Sequence, residues 1–282
     1  MIDAVKRAVR GWGRPAEWEY VPEGWARADA LDASDTSPLR GWDVASVAEA
    51  YRTRLPEFEG LTAGTQPLAI PTSASVAGTP PNVNDQNTIL VFGLALSRVW
   101  ALRGDDRVSV LDFGGGFGFY SFLARALLPE TVVIDYHVED VATVCDAGRT
   151  AVPSVTFSTD ATSGGRNYDL VMASNAMQYA RDWQDTVRRL VAATGRLLLL
   201  TSVPTVLAVP SFVALQRTRG YRFDTEYLSW VFRRDELVDT VLGTDADGAL
   251  ALDREFLQSA RPAIPRAPEP PQTRAFLFER RA

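Results

Sequence analysis

The segment Val108-Ser-Val-Leu-Asp-Phe-Gly-Gly-Gly-Phe-Gly-Phe-Tyr carries the densest chemical signal in the chain. An apolar run meets Asp112, then opens into Gly114, Gly115, Gly116 and Gly118 before a helical pattern begins. Glycines at a strand-to-helix turn let the backbone come close to a ligand, and the helix start offers free N–H groups. Spacing separates the ligands that use such turns. A phosphate-cradling loop ends in Gly-Lys-Ser/Thr, and this loop has no lysine. The dinucleotide pattern G-x-G-x-x-G, started at Gly114, needs glycine at position 119, which is Phe119. Asp112, Gly114, Gly116 and Gly118 satisfy D-x-G-x-G-x-G in full, with Gly115 lying between its contacts.

More polar residues fall just beyond apolar runs, where open α/β sheets gather ligands. Glu139 ends the run from Val132, about 20 residues after the glycines, a separation that suits a carboxylate on ribose hydroxyls. Asp135 and Asp140 are its rivals. Asp135 has the same side-chain parity as Glu139, and Asp140 comes one residue late. Asp160 follows a short third strand. Ser174, Asn175, Gln178 and Tyr179 follow a fourth. His137 is the only histidine and titrates near neutrality, although a lone histidine is more often structural.

These residues together resemble the class I S-adenosylmethionine-dependent methyltransferases, in a bacterial small-molecule branch, over residues 84 to 280. The resemblance implies that Asp112 organises the glycine loop and orients the cofactor's amino group. It implies that Glu139 holds the ribose hydroxyls and Asp160 the adenine amine. Ser174 and Asn175 would lie by the cofactor, with Gln178 and Tyr179 near the transferred methyl group. His137, Gln178 and Tyr179 are the catalytic candidates. A general base is not singled out: His137, Tyr179, Asp182, Tyr221, Asp224, Glu226 and Tyr227 all qualify. Methyl transfer to oxygen, then nitrogen, of a small metabolite is the expected activity, within specialised (natural-product) biosynthesis. A non-catalytic or regulatory binder of the same fold, and a nicotinamide oxidoreductase, are the competing readings.

Alternating apolar strands and helices from Arg107 must position these groups. Strands are expected at 108–113, 131–138, 155–158, 168–174 and 196–201, with helices at 117–128, 141–147 and 183–191. Two last strands, at 249–254 and 274–279, would pair as a hairpin after a helix at 233–242. The expected fold is a Rossmann-like, seven-stranded, mostly parallel α/β sheet with helices on both faces. Upstream, helices are expected over 44–55, with Asp43 as a possible cap, and from Asn84 or Asp85 to Trp100. The cluster 84–87 is either a helix cap or part of a substrate wall. Phe113 and Phe117 flank the cofactor or pack in the core; Tyr136 and Val138 stack on adenine or are simply buried. Cys145 reads as core.

Residues 1–83 are expected to form a helical and irregular cap, and 84–282 the cofactor-binding domain. Four of the seven tryptophans (Trp12, Trp18, Trp25, Trp42) lie in this cap, which argues for packing. Residues 204–230 read as a lid insertion carrying Arg217, Arg219, Tyr221, Arg222, Phe223, Tyr227 and Trp230. Arginines among aromatics suit a small anionic or aromatic substrate; a solvated charged face is equally consistent.

Composition narrows the classes. The chain has 282 residues, 46% of them hydrophobic, enough for a full core. Its net charge of −6 disfavours a nucleic-acid partner. One cysteine and one histidine leave no disulfide and no metal site expected. Residues 1–9 form a short basic amphipathic stretch, not a signal peptide, and no apolar run is long enough to span a bilayer. A cytoplasmic monomer or homodimer acting on a small molecule is expected.

Overall fold

The computed structural model describes residues 17–31, 39–64, 68, 83–217, 225–258 and 260–281. The basic stretch at 1–9, Trp12, and Arg219, Tyr221, Arg222, Phe223 and Asp224 lie outside them. Upstream are β1 (Trp18–Val21), the short α1 (Ala26–Leu31), α2 (Ala45–Ala63) and α3 (Val83–Arg103). The helix expected to end at Leu55 continues through Pro56. An interior proline removes a backbone hydrogen bond. Here the buried face of Val47, Tyr51, Leu55 and Phe58 runs past it and holds the helix together. Asp43 does not cap α2; its carboxylate accepts the Thr143 N–H at 3.0 Å instead. Of the apolar stripe expected on α3, Ile89, Phe92, Leu96 and Val99 are buried, and Trp100 is half-buried against the core.

The alternating region follows: β2 (Arg107–Phe113), α4 (Phe119–Leu127), β3 (Val133–Glu139), α5 (Ala142–Ala151), β4 (Thr156–Ser158) and β5 (Tyr168–Ser174). A 3₁₀ turn (Met177–Tyr179), α6 (Trp183–Ala193) and β6 (Thr194–Val206) come next. Then come β7 (Phe212–Arg217), β8 (Glu226–Arg233), α7 (Arg234–Gly243), β9 (Leu250–Leu257) and β10 (Gln272–Arg280).

Seven strands lie in the order β4-β3-β2-β5-β6-β10-β9, parallel except that β10 runs against both neighbours. This is the expected mostly parallel α/β sheet, with β9 and β10 as its terminal hairpin. Leu197 to Leu200 of β6 are 0–1% exposed because β5 and β10 flank that strand and helices cover it. The strand order reverses between β2 and β5. Their carboxyl ends, Asp112–Phe113 and Ser174, therefore border the crevice where such sheets bind ligands.

The described residues of the stretch read as a lid insertion at 204–230 are largely strand. β6 runs seven residues' worth of pairing along β10, and β7 and β8 pair antiparallel with each other. β1 adds a third strand to that pair, with Trp18 opposite Gln216. Pro204 suggested a strand end, since proline donates no ladder bond. The sheet accepts it beside an irregularity: Ser202 has φ 58, its N–H goes to Gln258 Oε1 at 2.8 Å, and the facing β10 register shifts between Arg274 and Phe276.

One hydrophobic cluster joins α2, α3, α4 and the β2/β3 face, with Phe58 stacked on Phe119 at 4.2 Å. Among the described residues no helix is long and apolar enough to cross a membrane.

Candidate active site

A cavity of about 670 Å³ opens at the carboxyl edge of the sheet, within the roughly 300–1,000 Å³ typical of small-ligand sites. Its floor is the glycine loop. Gly114, Gly116 and Gly118 have φ of +68, +59 and +71, which side chains other than hydrogen rarely tolerate. A Cβ on Gly114 would stand 2.4 Å from Ala176 Cβ, and one on Gly115 2.5 Å from Asp112 Oδ2. Gly115 is therefore required by the close approach of the Asp112 carboxylate, a role its spacing did not disclose. Gly118 does not line the cavity; it precedes α4 and accepts the Ser121 N–H at 2.8 Å.

Two carboxylates hold this loop. Asp112 is 1% exposed; its Oδ2 accepts the Tyr136 hydroxyl at 2.8 Å, while Oδ1 is buried with no partner. Burial pushes its carboxyl up to about 7, the Tyr136 hydrogen bond opposes the rise, and the Asp140 charge adds to it. Asp140 accepts N–H groups from Gly116 at 2.8 Å and Val141 at 2.7 Å. Burial raises it to about 6 against those two bonds, with the Asp43 and Glu139 charges adding to the rise. Asp140 thus ties the strand end to the loop. Tyr136 serves Asp112 from inside the core.

Glu139 lines the cavity and is 4% exposed. Its Oε2 accepts the Ala161 N–H at 2.9 Å and its Oε1 accepts Arg189 Nη1 at 2.9 Å. Carboxylate oxygens have two lone pairs each, so both can accept one more hydroxyl. Arg189, from α6, also donates to Thr162 Oγ1 at 2.8 Å. No local spacing links position 189 to the cavity.

Across the cavity, the end of β5 supplies the remaining polar groups. Ser174 Oγ and the Tyr120 hydroxyl lie 2.7 Å apart. Asn175 has φ 53, and its Oδ1 accepts Gln178 Nε2 at 2.6 Å. Gln178 is 2% exposed, and its Oε1 is buried without a partner. Tyr179 donates to Gln216 Oε1 at 2.6 Å. Its ring meets Trp42 edge-on at 5.0 Å, and Trp42 stacks on Tyr227 at 4.2 Å. Trp18, Asn84, Asp85 and Thr88 also line the cavity, as does Tyr51, whose ring lies over Gly116. The 84–87 cluster therefore contributes Asn84 and Asp85 to the wall.

Asp112, Gly114, Gly116, Glu139, Ser174, Asn175, Gln178 and Tyr179 all line this one cavity. His137 and Asp160 do not. His137 sits two residues before the end of β3, about 7 Å below its edge. Its Nε2 lies 2.9 Å from Asp135 Oδ1 and 3.0 Å from Arg166 Nη1. Burial first, then the Arg166 charge, lower its pKa, so the ring is neutral at pH 7. Asp160 turns into an exposed loop, where its Oδ1 faces the Thr162 hydroxyl at 3.4 Å. Phe113 lines the cavity, whereas Phe117, Tyr136, Val138 and Cys145 are core.

No family model matches the chain, and no curated protein matches it. Among solved structures it is similar to the magnesium protoporphyrin IX methyltransferase of Synechocystis PCC 6803 with bound SAM, at 14% identity and TM-score 0.44, over 83% of this chain and 95% of that one. It is similar to CalS10, an amino pentose methyltransferase from Micromonospora echinaspora, at 16% identity and TM-score 0.41, over 69% and 90%. The CcbJ methyltransferase of Streptomyces caelestis gives 14% identity and TM-score 0.41, over 73% and 92%. At identities this low, what the chain does has to be read from its own site.

Proposed function

We propose that the chain is an S-adenosylmethionine-dependent methyltransferase that transfers the methyl group to an oxygen or nitrogen atom of a small metabolite, in specialised biosynthesis. One observation carries this reading: the glycine loop faces carboxylates. Gly116 spends its N–H on Asp140, the Asp112 Oδ2 that accepts the Tyr136 hydroxyl stands beside Gly115, and the Asp112 Oδ1 is buried and unpaired. A pyrophosphate needs those N–H groups and would meet two negative charges instead. A ligand with a positive ammonium and no phosphate meets the opposite situation. The unpartnered Asp112 Oδ1 fits the cofactor's amino group, and the remaining lone pairs of Glu139 fit its ribose hydroxyls.

When bound, S-adenosylmethionine supplies an electrophilic methyl group on a sulfonium. The chain's own residues bind, align and exclude water. Asp112 and Glu139 hold the two ends of the cofactor. Ser174, Asn175 and Gln178 border the space beside it, and Trp42 and Tyr179 wall the acceptor. Arg189 keeps Glu139 fixed. His137 and Asp160 take no part in this reading. We read residues upstream of 84 together with β7 and β8 as the cover of the acceptor site, and the working form as a monomer or homodimer.

Calorimetric titration with S-adenosylmethionine, S-adenosylhomocysteine and NADH tests the reading. Saturable binding of the two sulfur nucleotides in the micromolar range, about −8 kcal/mol, is expected, with none for NADH. Binding of NADH alone would overturn it.

A further inference from the structure

We propose that Tyr51 binds the cofactor: its hydroxyl donates a hydrogen bond to the carboxylate of the amino-acid head whose ammonium Asp112 takes. The proposal rests on the methyl-transfer reading above. It brings α2, a helix upstream of the expected cofactor-binding domain, into the cofactor site.

Tyr51 belongs to the buried face of α2 and lines the cavity. A Cβ on Gly116 would stand 3.1 Å from its Cζ and 3.2 Å from its Cε2, so the end of the ring that carries the hydroxyl lies over the glycine loop. Asp112 stands against the preceding residue, where a Cβ on Gly115 would meet its Oδ2 at 2.5 Å. Successive Cα atoms are about 3.8 Å apart, so the carboxylate and the phenol end flank neighbouring residues of one turn. The charges of Asp140 and Asp112 both act on the hydroxyl. An α-amino acid carries its ammonium and its carboxylate on one carbon, and a head held at Asp112 meets a donor one residue along the loop.

The phenol is in place before a ligand arrives. Asp43, just before α2, accepts the Thr143 N–H of α5 at 3.0 Å, and Phe58 of α2 stacks on Phe119 of α4. Phe117 and Phe119 flank the Tyr51 ring at 5.6 and 5.7 Å. A side chain held this way loses little further freedom on binding.

The cofactor's carboxylate needs a cation or an N–H or O–H donor, and most of those nearby are spent. The described lining has one cation, Arg189, which is tied to Glu139 at 2.9 Å and Thr162 at 2.8 Å. Three of the loop's four glycine N–H groups are taken: Gly114 by Glu139 O at 2.7 Å, Gly116 by Asp140 at 2.8 Å, and Gly118 by Gly115 O at 2.9 Å. The Tyr51 hydroxyl makes no hydrogen bond to a described residue, and it stays accessible on a residue that lines the cavity. Burial first, then the Asp140 charge, raise its pKa, so it keeps its proton and serves as a donor rather than a base.

Tyr51→Phe removes the hydroxyl and leaves the ring over Gly116. The full-length parent and variant are titrated calorimetrically with S-adenosylhomocysteine and with its decarboxylated analogue, which keeps the amine and lacks the carboxylate. The variant should bind S-adenosylhomocysteine about tenfold or more weakly than the parent. Its affinity for the analogue should stay within about twofold, and its ligand-free melting temperature should be unchanged. A role of Tyr51 in packing alone moves both ligands together, so an equal loss for the two overturns the proposal. So does an unchanged S-adenosylhomocysteine affinity, or a ligand-free melting temperature lowered by several degrees, which would show the hydroxyl already engaged. Ser174→Ala is the companion variant, because Ser174 and Tyr120 also bring hydroxyls to the cavity. A carboxylate-selective loss there and none in Tyr51→Phe assigns the carboxylate to that pair and overturns the role of Tyr51 while leaving the cofactor reading intact. A parent that binds neither ligand overturns the methyl-transfer reading and this proposal with it.

Discussion

Asp112→Asn should make the ligand-free protein more stable at alkaline pH while removing its cofactor affinity. The Asp112 carboxyl is raised from 3.8 to about 7 by burial. Between those values the folded state keeps a proton that the unfolded chain has released. The folded state binds more protons there, so stability falls as pH rises from about 4 to about 7 and is flat above. At 1.36 kcal/mol per pH unit the full cost is about 4 kcal/mol, of which about 1.5 has accrued at pH 5. Asparagine has the same shape and no charge, and its Oδ1 can still accept the Tyr136 hydroxyl. The variant's stability relative to the parent should therefore grow by about 3 kcal/mol between pH 5 and pH 8. For a chain of this size that is a gain of about 5–10 °C in melting temperature. Differential scanning calorimetry across that range reads the stability, and titration with S-adenosylhomocysteine reads the affinity, which should fall at least tenfold. A variant less stable than the parent at pH 8, or an advantage that ignores pH, would refute the uncompensated carboxylate. Unchanged affinity would refute its role in binding.

Gly114→Ala combines a φ of +68 with a Cβ 2.4 Å from Ala176 Cβ, so it should cost about 2–5 kcal/mol in urea melts and abolish S-adenosylhomocysteine binding. Glu139→Gln should weaken S-adenosylhomocysteine by about tenfold or more in calorimetry, because the amide has one acceptor oxygen where the carboxylate has two and carries no charge to face Arg189. Asp160→Ala, outside the cavity, should change that affinity by less than about twofold; a larger loss would restore Asp160 to the cofactor site. His137→Ala should leave kcat/KM within about twofold once an acceptor is in hand, since the ring lies outside the cavity against Asp135 and Arg166 and out of reach of a reacting atom.

The sheet was legible because its signals are local. β5 is buried at six of its seven positions and β6 carries four consecutive leucines, patterns that only a doubly covered strand needs. The strands of 204–230 were hidden by Pro204 and by a register irregularity at Ser202. Their pairing partners lie far along the chain: Gln258 holds Ser202, Thr273 faces Pro204, and β1, almost 200 residues away, pairs with β7. No window around position 212 contains that partner. Asp43 failed as a cap for the same reason, since a distant Thr143 N–H competes for it.

The site divides along similar lines. Motif spacing identifies Asp112 and the glycines because a tight turn beside a ligand constrains residues a few positions apart. It identifies Glu139 because strand and helix lengths fix where the next strand ends. It does not fix how a side chain leaves that end. Glu139 and Asp140 are adjacent, yet one faces Ala161 and Arg189 and the other reaches back to Gly116. His137 shares a face with Glu139 but lies below the edge, where Asp135, Arg166 and Tyr168 surround it. Parity fixes the face of the sheet; only depth along the strand decides whether a residue on that face meets the ligand. Asp160 shows the same limit from the other side: it follows a strand end, but its loop turns outward after β4, and the cavity is lined there by Thr159 instead. Reading depth requires knowing how far each neighbouring strand extends, and that is set by the pairings of the assembled sheet.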